Sequence, residues 1–199
     1  GRNMDGSEIS YNKVAISAIS TAHQIDSILI AENTGESKRN NKTFNVNYRF
    51  LNKKDQSLNL DADYGKYLTE NTRTQPNTYY NAAEDSIVTQ VSNSFDTPIE
   101  IEIYTAKLDY EKSLGKATLG FGGKFGQVNT HNTFLFFEAI NGAAIRDDSR
   151  SNIFDYNESV YAGYVSYTRP FGKKWNFIGG LRAEQTEAIG ELSPFSTNL

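Results

Sequence analysis

The feature that most constrains this chain is a unit that recurs with changed residues: an alternating strand, a short lysine-bearing turn, a second alternating strand, then a long polar stretch. It runs over Thr43 to Tyr67 around Asn52-Lys53-Lys54-Asp55, over Tyr104 to Gly126 around Lys112-Ser113-Leu114-Gly115-Lys116, and over Val160 to Gln185 around Pro170-Phe171-Gly172-Lys173-Lys174. The spacing, roughly sixty residues, exceeds the common solenoid and propeller periods. Each unit is a hairpin plus a connection. The chain therefore reads as one all-β antiparallel meander, with short turns at one end and long connections at the other.

Side chains alternate across a strand with a period of two, so each strand can be sorted into two chemical faces. Phe44, Val46, Tyr48 and Phe50 share one face, against Thr43, Asn45, Asn47 and Arg49. Leu58, Leu60, Ala62 and Tyr64 oppose Ser57, Asn59, Asp61, Asp63 and Gly65. Ala117, Leu119, Phe121 and Phe125 oppose Thr118, Gly120, Gly122 and Lys124. Trp175, Phe177, Gly179, Leu181 and Ala183 oppose Asn176, Ile178, Gly180, Arg182 and Glu184, with Ile178 the exception. Val160 to Thr168 alternates poorly, as if both faces were covered.

From Ile99 to Tyr110 the phase changes: Ile99, Ile101 and Ile103 share one face, while Tyr104, Ala106, Leu108 and Tyr110 share the other. A bulge near Ile103 is one explanation. The other is that only the second half belongs to the wall and the Ile/Glu alternation extends beyond it. Two further strands, Val14 to Thr21 and Ser27 to Asn33, are expected around a turn at His23-Gln24-Ile25-Asp26. The total is about eight strands, each close in length to the roughly 9–11 residues a tilted membrane strand needs. The connections Leu68 to Pro98 and Gln127 to Ser159 are rich in Asn, Thr, Ser and Asp, and Thr133 to Glu138 within the second reads as a strand rising above the wall. Connections this long are unusual in a compact soluble domain and ordinary on the outer side of a membrane barrel.

Composition excludes several classes. The formal net charge of -4 with no basic stripe gives no footprint for nucleic acid. Without cysteine there is no disulfide framework and no thiolate metal site. Twelve Tyr and twelve Phe with only four Pro favour strands over disorder. No stretch approaches the ~18 apolar residues of a membrane helix. A mean hydropathy of -0.57 suits a barrel, whose strands are half polar, as well as a soluble protein. Period-two patterning does not distinguish inside from outside, so a soluble eight-stranded barrel or sandwich binding a small ligand or glycan is the competing reading.

No pattern supports catalysis, a metal or a cofactor. His23 and His131 are the two histidines, with no second ligand at zinc spacing. Asp61 and Asp63 share a polar face but lack a calcium-loop pattern and read as lumen-facing carboxylates. Gly120, Gly122 and Gly126 have no following helix to hold a phosphate, and their place on a polar strand face gives room for an inner plug or a neighbouring backbone. Tyr79, Tyr80, Phe95 and Phe134 to Phe137 lie in or beside the long connections, where rings stack on a ligand or pack the loops together. Tyr79, Tyr80 and Phe136 are the ligand-binding candidates. Trp175, Phe171, Tyr167 and Tyr110 gather near the short turns, as an interfacial aromatic belt would.

The run from Asp155 to Tyr164, followed by Trp175 to Thr186 with its Gly180-Leu181-Arg182-Ala183-Glu184-Gln185-Thr186 ending, resembles the barrel of TonB-dependent outer-membrane receptors. Leu58 to Tyr67 and Ala106 to Tyr110 resemble neighbouring strands of that family, so the likeness spans most of Phe44 to Gly190. The resemblance implies the outer membrane of a Gram-negative cell and energy-coupled uptake of a siderophore, glycan or similar nutrient. It also implies a larger barrel closed by a plug and driven by an inner-membrane energy-coupling protein. Residues 1–199 are then expected to be a single barrel segment, without the plug and the remaining strands. The expected partners are outer-membrane lipid, the rest of the parent barrel and, for the isolated segment, copies of itself.

Overall fold

The computed structural model describes residues 2–17, 25–53, 56–140 and 142–195, and among these there is no helix. Nine strands form one antiparallel sheet: β1 Arg2–Ile16, β2 Ser27–Asn52, β3 Gln56–Asn81, β4 Ile87–Asp96, β5 Ile99–Leu114, β6 Ala117–Ile140, β7 Ala143–Arg146, β8 Asn152–Phe171 and β9 Trp175–Pro194. The short turns near Lys53, Gly115 and Gly172 fall where the sequence puts them. Gly115 and Gly172 take φ of 66° and 63°, a region that an L side chain rarely adopts.

The strands are much longer than expected. Ser27–Asn33 and Thr43–Phe50 are parts of one 26-residue strand, β2. The supposed connections Leu68–Pro98 and Gln127–Ser159 are mostly strand as well, with Thr133–Glu138 inside β6 as expected. The strand expected at Val14–Thr21 lies earlier, at Arg2–Ile16; residues 18–24, with His23 and part of its turn, lie outside the described residues.

β4 and β5 occupy one lane between β3 and β6. Thr72 pairs with Asp96 and Thr69 with Ile99, so the register carries straight through Thr97 and Pro98. Pro98 has no N–H to give, but its carbonyl accepts from Thr133 N at 3.0 Å and Thr97 N donates to Asn71 O at 2.8 Å. The ladder continues past the proline.

Of the two explanations for the change of phase near Ile103, the bulge is absent. β5 pairs with β3 and β6 without a register shift. Glu100, Glu102 and Tyr104 therefore share one continuous face, and the change of phase is a change of surroundings along a straight strand. Lys66, opposite Glu102, bonds Glu102 at 3.0 Å and also bonds Glu100. The face that is apolar at Tyr64 and Tyr104 turns ionic one pair further on, so the apolar band ends there.

The register also reveals strand tilt. The row Phe44–Tyr64–Tyr104 continues into Gln127, Ser159 and Glu187, so it is aromatic on one side of the sheet and polar on the other. The row ending the apolar run in β2, Phe50–Leu58–Tyr110–Phe121–Val165–Leu181, lies well inside the run of β9. The apolar band thus slips by about 4–6 residues over the five steps from β2 to β9; at ~3.4 Å per residue and ~4.8 Å per strand, the strands incline by about 30–40°. Barrel strands tilt by a similar angle.

Along Tyr161–Ser166 the apolar-face positions are exposed and the intervening ones half-buried. In a coiled sheet the inner face is the more covered one, so the apolar band points outward. Its rings form two borders: Phe44–Tyr64 and Tyr64–Tyr104, at 6.3 and 5.0 Å, on one side, and Tyr167–Phe177, at 6.4 Å, toward the short turns. Phe171 and Trp175 pair at the last of those turns.

Candidate functional site

Within the band the inner face is a hydrogen-bonded polar wall. Asp61 accepts from Asn47, while Asp63 accepts from Asn45 and from Thr105 Oγ1 at 2.7 Å. The two carboxylates belong to separate cross-strand sets. Lys107 reaches Asp109 at 2.5 Å, and the Tyr164 hydroxyl crosses β6 to bond Asp109. Gly122 lies between them: a Cβ there would sit 2.5 Å from Leu108 O and 2.6 Å from the Tyr164 ring. The missing side chain makes room for that ring.

Beyond the band the inner face changes character. Ile99, Ile101 and Ile103 of β5 pair there with Tyr67 of β3 and Val128 of β6, among others, as an apolar collar. Next to this collar is a cavity of about 580 Å³ lined from β1, β2, β3, the β4–β5 lane and β6. Gly6 and Gly35 floor it, with no side chain to fill it. Arg39, Arg73, Ser37, Asn71, Phe95 and Phe134 surround it. Phe95 and Phe134 stack at 6.1 Å and 26°, and Phe95 is the cross-strand neighbour of Arg73. Neither arginine makes an ion pair among the described residues. Ser37 Oγ is buried and has no hydrogen-bond partner among them, as is Asn33 Oδ1 in the adjoining 90 Å³ recess beneath Arg73.

The candidates chosen from sequence fall differently. Phe136 neighbours the cavity but is covered: the Arg150 guanidinium lies 3.9 Å from its ring centre. Tyr79 and Tyr80 pair with Leu29 and Ile28 near the far hairpin, away from the cavity, at the β3–β4 register shift. His131 is bound to Asp155 at 2.6 Å as a cross-strand pair. Arg39, Arg73, Ser37 and Asn71 were missed because their strand segments are polar on both faces and carry no alternation.

Arg150 is placed by a turn clasped onto β6. Ser151, 1% exposed, accepts from Phe136 N at 3.0 Å and donates to Asp147 O at 2.7 Å. The Asp147 carboxylate accepts from Ser149 N and Oγ at 2.9 and 2.5 Å and from Arg150 Nε at 2.5 Å. These bonds, the Ser149 hydroxyl first, lower its pKa from 3.8 to about 2. A lowered folded-state value means that the stabilisation is complete above the unfolded value and lost as pH falls through the folded one. The protection factor of the Ser149 amide, its exchange relative to the intrinsic rate at each pH, is accordingly expected to fall between about pH 4 and pH 2, and Asp147→Asn to remove that step; a protection factor independent of pH in the unaltered chain would refute it.

A larger hollow, about 810 Å³, is different in kind. It centres on Gly123 and Gly163 with Leu60, Leu108, Phe125 and Tyr161 of the apolar face around it, so it belongs to the lipid side.

Comparison with known families agrees with this geometry. Residues 49–198 match the outer membrane protein beta-barrel family. The chain belongs to that family. Its place is the outer membrane, and the outward apolar band is the surface that this location requires. No curated protein matches the chain.

Proposed function

We propose that this outer-membrane barrel chain is part of the wall of an energy-coupled receptor of the TonB-dependent kind, taking up a siderophore, glycan or similar nutrient. The observation that carries the reading is the continuation of β2, β3 and β6 far beyond the lipid band, where their inner face holds a cavity. A passive wall has no need of strands of 24–26 residues, when about 9–11 span the hydrocarbon. The Gly180-Leu181-Arg182-Ala183-Glu184-Gln185-Thr186 segment, similar to the receptors' own strands, supports the same reading.

In this reading the protein binds and transports and is not an enzyme. A plug domain fills the polar inner wall, further strands complete the barrel, and an inner-membrane protein supplies the energy. Lipid covers the apolar face; an isolated chain hides that face by associating with copies of itself. The test is uptake of labelled iron chelates and oligosaccharides by cells with and without the parent gene, before and after a protonophore. Gene-dependent uptake that the protonophore abolishes is the expected result. Gene-dependent uptake that survives it describes a passive pore and overturns the proposal, as does no gene-dependent uptake at all.

A further inference from the structure

We infer that the cavity between Arg39 and Arg73 binds an aromatic carboxylic acid. It offers two guanidinium groups, neither paired among the described residues, a buried unpartnered Ser37 hydroxyl, and the stacked Phe95 and Phe134 rings, all on one inner face. Guanidinium forks match a carboxylate, which accepts two parallel hydrogen bonds. Glu8 is the acidic side chain of this face at the cavity, so the two arginines leave it net positive. The rings give a flat apolar body something to lie against, and the apolar surface continues through Ile99 and Ile101. A buried hydroxyl without a partner costs free energy, which a ligand oxygen recovers once the Ser37 side chain turns toward it.

The volume fits this class. Cavities of about 300–1,000 Å³ hold drug-sized ligands, and 580 Å³ accommodates two fused rings with a carboxylate. A neutral sugar leaves the charge of both guanidinium groups unmatched. A bare inorganic anion leaves the two phenylalanines uncovered. An acid on a flat ring system satisfies both halves of the site.

The inference rests on the reading of this face as the receptor's ligand-facing vestibule. The test is fluorescence titration of the full chain in detergent micelles with 2-naphthoate, and with neutral 2-naphthalenemethanol as its isostere. Naphthoate is expected to bind at least tenfold more tightly than the alcohol. Arg73→Gln and Arg39→Gln are each expected to weaken naphthoate about tenfold and leave the alcohol within twofold, while Phe95→Ala weakens both. A Cβ at Gly6 meets nothing within 4 Å, so Gly6→Leu fills the cavity without a backbone clash and is expected to abolish binding. Circular dichroism with the strand signal retained qualifies each variant.

Equal binding of acid and alcohol, or naphthoate binding that is absent from the unaltered chain or indifferent to the arginine and Gly6 variants, overturns the inference. Its failure is separable from that of the receptor reading. Naphthoate binding in a protein that shows no protonophore-sensitive uptake leaves the site standing and removes energy-coupled transport. Such uptake with no naphthoate binding does the reverse.

Discussion

Phe121→Arg is expected to destabilise the membrane-inserted chain by about 2–4 kcal/mol, the cost of a cation on the lipid face near mid-bilayer. Phe121 lies at the middle of the apolar run of β6, with the Tyr110 ring 5.0 Å away and 45% of its own surface exposed. In a soluble fold with this face turned inward, the substitution would be at least as damaging, so the contrast with the opposite face and with the medium decides. Lys124→Glu, three residues along on the inner wall beside Lys107, is expected to change stability by no more than about 0.5 kcal/mol. Urea titration in lipid vesicles measures both. A small cost at Phe121 in lipid would remove the outward assignment of the band, and with it the tilt deduced from the slip of that band.

The second large effect belongs to the inner wall. Gly122→Ala is expected to cost about 1–3 kcal/mol, as overpacking does in a filled interior. The added methyl would meet the Leu108 carbonyl and the Tyr164 ring at 2.5 and 2.6 Å. The ring can swing away only by breaking the Tyr164–Asp109 bond, and the carbonyl is held in the β5–β6 ladder. Gly126→Ala, on the same face of the same strand with nothing within 4 Å, is the control and is expected to be neutral or mildly stabilising. Adding Tyr164→Ala should recover part of the Gly122→Ala cost, leaving the share due to the Leu108 carbonyl. Equal costs at the two glycines in urea titration would mean that close approach is not why Gly122 is glycine.

The underestimated strand lengths and the change of phase at Ile103 have a common cause. The polar stretches Thr34–Lys42 and Leu68–Asn81 look like loops because both faces are hydrophilic and nothing alternates. They are strands because their backbones pair continuously: the register from Thr43↔Gly65 runs on through Lys42↔Lys66 to Thr34↔Thr74 without a break. Outside the hydrocarbon both faces meet water, so the chemical contrast that betrays a strand disappears while its hydrogen bonds persist. The apparent phase change at Ile103 has the same origin. It marks the edge of the membrane, and was open in the sequence as a strand running beyond the wall.

The sequence by itself determined the all-β meander, the positions of the short turns, the apolar and polar faces of β2, β3, β6 and β9 inside the band, and the likeness to outer-membrane barrels; in β8, where it suggested two covered faces, only the structure separated an exposed face from a half-buried one. The faces are local, set by a period of two, and two of the turns are fixed by a glycine at a positive φ. Only the tertiary structure decided how far the strands run and how the rows align. It also decided that Gly6, Ser37, Asn71, Phe95 and Phe134, far apart in the chain, border one cavity. Period-two patterning assigns a residue to a face but not to a neighbour on that face. Neighbours come from register, and register is fixed by hydrogen bonds between strands.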